Sequence, residues 1–133
     1  MTEWLPEYVQ KKMAELVAAS PQLRASLEDA GGVLLYSNVG IESYLRPDGT
    51  VWMHHAPDWT NRPDHYEWRE ARGNERWAAL VVGTRRMPEL KRLLPRRPSH
   101  AVSCSRCGGA GFLLGGLVCE ACGALGWNAE GAA

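Results

Sequence analysis

Four cysteines stand at positions 104, 107, 119 and 122, and no other position of the 133-residue chain holds one. They fall into two C-x-x-C pairs inside a short near-repeat, CSRCGGAG at 104–111 and CEACGALG at 119–126. Two residues between thiolates let a single backbone turn present both sulfurs to one ion. The glycines that follow each pair let the chain turn tightly while its amides approach the sulfurs. The spacing is that of a zinc ribbon. Between the pairs, FLLGGLV reads as a hairpin with a two-residue Gly115-Gly116 turn that brings the two knuckles together. Cys104, Cys107, Cys119 and Cys122 are therefore the predicted metal ligands, holding one Zn2+. With all four positions filled by thiolate, that zinc is expected to be structural, with no site left for water or substrate.

Other states are open to four thiols: two disulfides, a redox dithiol or an iron centre. The redox C-x-x-C opens a helix after a strand, whereas both copies here run into glycine turns. His100, four positions before Cys104, is superfluous once four thiols are present. His54, His55 and His65 lie near Asp58 and Asp64 in sequence, but adjacent strand residues point to opposite faces, so a structural role is expected for them.

At the cysteines the chain resembles the cysteine-rich zinc-binding region of the DnaJ (Hsp40) chaperone family, with its CxxCxGxG repeat. Cys104, Cys107, Gly109 and Gly111 match the pattern in full. The second copy keeps Cys119, Cys122 and Gly126 but has Ala124 where the family has glycine. The likeness covers residues 104–126 only, with two repeats against the family's four, and the HPD tripeptide of the J-domain is missing. Stimulation of Hsp70 is therefore not carried over. The resemblance implies a zinc-held hairpin of the sort used to contact polypeptides.

The rest of the chain reads as a small α+β domain. Leu5, Val9, Met13, Leu16 and Val17 recur at helical spacing and predict a helix over about 5–19. Ser20-Pro21 looks like an N-cap and first-turn proline of a second helix, burying Leu23 and Leu27 and ending at Gly31 and Gly32. VLLYSNV (33–39) and the two halves of 41–55, around Pro47-Asp48-Gly49, read as strands. Residues 56–73 are expected to form a long loop pinned by Trp59, Tyr66 and Trp68. Asn74 is the expected N-cap of a third helix, and Glu89–Leu94 a short basic turn stopped by Pro95. The expected organisation is an α+β domain over 1–95, a linker over 96–103, the ribbon over 104–127 and a flexible tail over 128–133.

Hydrophobic residues make up 45% and charged residues 23% of the chain, the usage of ordinary globular proteins. There is no apolar run of the roughly 18–20 residues a bilayer span needs, and Glu3, Glu7, Lys11 and Lys12 interrupt the N-terminal region. A soluble, cytoplasmic protein without membrane association is expected. Net charge is zero, but residues 1–84 carry 8 Lys and Arg against 12 Asp and Glu, while 85–106 carry seven cations against Glu89 alone. Arg85, Arg86, Arg92, Arg96, Arg97 and Arg106 are thus candidate anion-binding residues, for nucleic-acid phosphate or an acidic surface. No nucleophile elbow, phosphate loop or hydrolase signature occurs, so a non-catalytic role is expected. The favoured function is a zinc-containing adaptor that binds another protein through Phe112, Leu113, Leu114 and Leu117, because so small a ribbon cannot bury them all. A nucleic-acid-associated regulator and an immunity or antitoxin-like partner are the alternatives.

Overall fold

The computed structural model describes residues 6–38, 40–56 and 63–128. Two helices, α1 (Pro6–Ala19) and α2 (Pro21–Ala30), lead into strands β1 (Val33–Asn38), β2 (Ile41–Leu45), β3 (Val51–His55) and β4 (Glu67–Ala71). Helix α3 (Asn74–Gly83) and a 3-10 segment (Pro88–Leu93) follow, and the cysteine module closes the chain. The strands form one antiparallel sheet in the order β1-β2-β3-β4. The α+β class read from the sequence is the class observed. Leu5 and Val39, and Trp59 with the middle of the expected loop, lie outside the described residues, as does the tail from 129.

The junction between the first helices forms as its residues dictate. The Ser20 hydroxyl accepts the Leu23 N–H at 3.2 Å, Pro21 occupies the first turn, and Gly31 ends the helix in the left-handed region at φ 71°. Ser20 also donates its hydroxyl to Glu89, tying the α1–α2 junction to the 3-10 segment. Helix α3 and α2 pack on β1, and the 3-10 segment packs on α1 and α3. The core they enclose includes Met13, Leu16, Leu23, Leu35, Leu45, Met53, Leu80 and Leu90, each at most 2% exposed. Each such side chain contributes roughly 1.5–3 kcal/mol by leaving water.

Strand alternation sorts the sheet residues. Ser43 and Leu45 face the core, paired with Met53 and Val51 of β3. On the other face, Tyr44, Trp52, His54 and Trp68 form a layer of rings. His54 stacks on Trp68 at 4.3 Å between centroids, and the Arg46 guanidinium lies over Trp52 and Trp68 at 4.4 and 5.1 Å.

Two expectations are corrected. Residues 67–71 are not loop: they pair with β3 in full register, from Val51 opposite Ala71 to His55 opposite Glu67. Trp68 therefore sits in a strand, where cross-strand stacking on His54 holds it. Asn74 is not the cap of α3, because Gly73 holds that position and no side chain caps the helix. The Asn74 side chain is engaged elsewhere.

Candidate metal centre

The two knuckles repeat each other bond for bond at an offset of 15 residues. In the first, Gly109 N–H donates to the Cys104 carbonyl and Ala110 N–H to that of Cys107; in the second, Ala124 bonds Cys119 and Leu125 bonds Cys122. Each knuckle then clasps the other. The Cys119 N–H donates to the Gly111 carbonyl at 3.1 Å, and the Cys104 N–H to the Gly126 carbonyl at 2.9 Å. Single bridges, Ser103 with Trp127 and Phe112 with Val118, extend the same two-fold relation. The near-repeat in sequence is thus a near-symmetry in space.

This arrangement gathers the four sulfurs within 4.8 Å of one another, with Cys104, Cys119 and Cys122 buried and Cys107 partly so. All four are free thiols. Cys104 and Cys119 sulfurs are 3.8 Å apart, and those of Cys107 and Cys122 are 3.7 Å apart. A disulfide needs about 2.05 Å. Four sulfurs about 2.3 Å from a central ion lie at the corners of a tetrahedron with edges of about 3.8 Å, so the donor set fits a four-coordinate metal. The amides complete it: Gly111 N–H points to Cys107 Sγ at 3.2 Å and Gly126 N–H to Cys122 Sγ at 3.3 Å. Such bonds orient thiolate ligands and carry part of their charge. Among the described residues this is the one group of three or more side chains that could hold a metal ion.

The electrostatics of the thiols are uneven. Burial acts to raise the Cys107 thiol, but the Gly111 and Gly109 amides and the Cys122 and Cys104 thiols outweigh it and bring it down to about 6. Its neighbour pays the opposite way. Burial, reinforced by the other three thiols and opposed only by the Gly126 amide, pushes Cys122 up to about 12. The Cys107 thiolate is thus favoured and that of Cys122 disfavoured, a like-charge conflict that a cation bound between the sulfurs would relieve.

The turn between the knuckles is one residue longer than the two-residue Gly115-Gly116 turn expected from the sequence. Gly116 N–H donates to the Leu113 carbonyl at 3.1 Å and Leu113 N–H to the Leu117 carbonyl at 2.7 Å, so the loop spans Leu114–Gly116. Its four apolar residues part company there. Leu113 packs against the cysteines, and Phe112 lies under the Arg85 guanidinium at 5.1 Å. Leu114 and Leu117 stand out at 99% and 67% exposure.

The module is docked on the helical body. Asn74 donates its side-chain amide to the Glu120 and Ala121 carbonyls at 3.2 and 2.9 Å, and Leu125 packs against the main core. Sequence reasoning missed this use of Asn74, since an asparagine at a helix start carries the same signature whether it caps or reaches across. The histidines are spent separately: His54 on Trp68 and Tyr66, His55 on the Ala56 carbonyl at 3.1 Å, and His65 beside Asp64.

The arginines of the basic stripe go to different places. Arg85 covers Phe112, and Arg97 donates to the Ala101 carbonyl and the Ser103 hydroxyl. Arg86 lies beside the α2–β1 junction, Arg92 and Arg96 line one cleft, and Arg106 is exposed on the first knuckle. Among the described residues no helix is long and apolar enough to cross a membrane. No protein-family model matches the chain, and neither a curated protein nor a solved structure shows significant similarity to it.

Proposed function

We propose that this is a non-catalytic zinc protein whose C-terminal ribbon, held by Cys104, Cys107, Cys119 and Cys122, presents a hairpin tip to another polypeptide. The observation that supports the zinc is the gathering of the four sulfurs within 4.8 Å of one another, with Cys104–Cys119 and Cys107–Cys122 at 3.8 and 3.7 Å. Zinc suits four thiolates in a closed tetrahedral set, and such a set leaves no position for a reacting water. The contact role rests on Leu114 and Leu117, two large apolar side chains left in water at the point where a tight turn projects them. It agrees with the DnaJ-type pattern of the knuckles, whose zinc-held hairpins contact polypeptides.

Metal analysis of protein purified without added metal should return one zinc per chain, with four thiols becoming reactive on chelation. Binding to a permanently unfolded, alkylated polypeptide should fall at least fivefold in the Leu114→Ser/Leu117→Ser variant, with zinc content unchanged. Metal-free protein with fewer than four titratable thiols would replace zinc with disulfide chemistry. Equal binding by variant and parent would remove the hairpin tip from the contact surface.

A further inference from the structure

Helix α1 and the Pro88–Leu93 segment flank a cleft of about 610 Å3 that none of the cysteines lines. Four cations line it: Lys12 from α1, Lys91 and Arg92 from the 3-10 segment, and Arg96 just beyond. Leu94 and Pro95 contribute apolar wall, and the Tyr8 ring, 39% exposed, supplies an aromatic face.

Among the described residues no carboxylate lines this cleft. Glu89, the acid of the same segment, is engaged by the Ser20 hydroxyl. Lys12 has Glu15 at 3.7 Å, an exposed helical pair of small strength. Lys91, Arg92 and Arg96 form no ion pair with a described residue, although the chain as a whole carries as many acids as bases. Lys91, Arg92 and Arg96 are exposed, and a cleft lined by one sign of charge concentrates their field toward an anion. The cleft is within the size range of small-ligand sites, roughly 300–1,000 Å3.

From this geometry we infer that the α1 cleft binds a ligand bearing several closely spaced phosphates. Arginine forks suit phosphate oxygens and lysine adds point charge, while an aromatic face beside them suits a base attached to those phosphates. A nucleotide and a single nucleic-acid strand share this chemistry. The site stands on the helical body and is independent of what the ribbon contacts.

The test titrates the intact protein with tripolyphosphate, ATP and a fluorescent ten-nucleotide single strand, at 50 and 200 mM salt. Binding of at least one of them is expected, weakened at least tenfold by Arg92→Ala/Arg96→Ala and less than twofold by Arg86→Ala/Arg106→Ala. A strand held through three phosphates loses more than about tenfold in affinity across that salt range. Tyr8→Leu should weaken ATP and the strand more than tripolyphosphate. ATP bound more tightly than the strand would identify a nucleotide site, and the reverse order a strand site. No binding of any of the three at 50 mM salt, or equal losses in the two double variants, would overturn the inference.

Discussion

Gly108 and Gly111 both hold left-handed backbone, at φ 65° and 84°, yet they answer to different constraints. A β-carbon on Gly108 would meet nothing within 4 Å, whereas one on Gly111 would lie 2.4 Å from the Ala124 carbonyl oxygen. The partner position repeats this, with a β-carbon on Gly126 placed 2.5 Å from the Gly109 carbonyl oxygen. Gly108→Ala should therefore lose only the backbone preference, about 1 kcal/mol. Gly111→Ala must also push the knuckles apart, against their shared hydrogen bonds. Competition with a chelator should show at least a tenfold loss of metal affinity for Gly111→Ala, and little for Gly108→Ala. Ala124 carries the same left-handed backbone at φ 66°, so the second knuckle keeps the glycine geometry of its sequence pattern without the glycine. In the sheet the residue-scale cost runs the other way. Ser43 is fully buried and its hydroxyl finds no partner among the described residues. Removing an unsatisfied buried hydroxyl relieves a penalty of about 1–3 kcal/mol, so Ser43→Ala should raise the melting temperature.

At the scale of elements, Asn74 decides how the ribbon sits on the body. Its side chain ends at two carbonyls of the second knuckle, Glu120 and Ala121. Asn74→Ala would remove two hydrogen bonds, each worth about 0.5–1.5 kcal/mol, while leaving the sulfur tetrahedron and the α3 cap untouched. Amide exchange should quicken across 119–127 with metal content unchanged; unaltered exchange would mean that the Leu125, Arg85–Phe112 and Arg97–Ser103 contacts hold the module without Asn74. The elements themselves were unequally legible. Helix α2 could be read end to end because Ser20, Pro21 and Gly31 each have one dominant local use. The strand β4 was hidden because its Pro- and Asp-rich approach looks like loop and its residues 67–70 leave no apolar alternation to detect. Trp68 is outward-facing because its partner is a ring on the neighbouring strand, a fact of register that a single segment cannot carry. The four ligands were legible for the opposite reason: their spacing encodes the geometry directly. The anion cleft was only half legible, since Lys12 lies some eighty positions from Arg92 and comes to it through the packing of α1 on the 3-10 segment.

The whole molecule consists of a helix-and-sheet body with its own apolar core and a module whose buried cluster consists of Cys104, Cys119 and Cys122, with Cys107 and Leu113 against them. The two parts therefore depend on different forces. The body is held by burial of side chains from every helix and strand. The module has single bridges in place of strands, and a hairpin of that length is not stable by itself in water. A metal ion on the four sulfurs would supply much of the folding free energy that such a hairpin lacks. Chelation should accordingly abolish amide protection at Gly111, Cys119 and Gly126, whose bonds link sulfur to backbone and knuckle to knuckle. The inner strands and α3 should stay protected, with a lowered melting temperature because the contacts of Asn74 and Leu125 are lost. Hydrogen exchange with and without chelator separates the cases. Loss of protection confined to 103–127 is the expected result. Simultaneous loss throughout would make the ribbon part of one cooperative unit with the body, and no change would show that the thiol cluster folds without a metal.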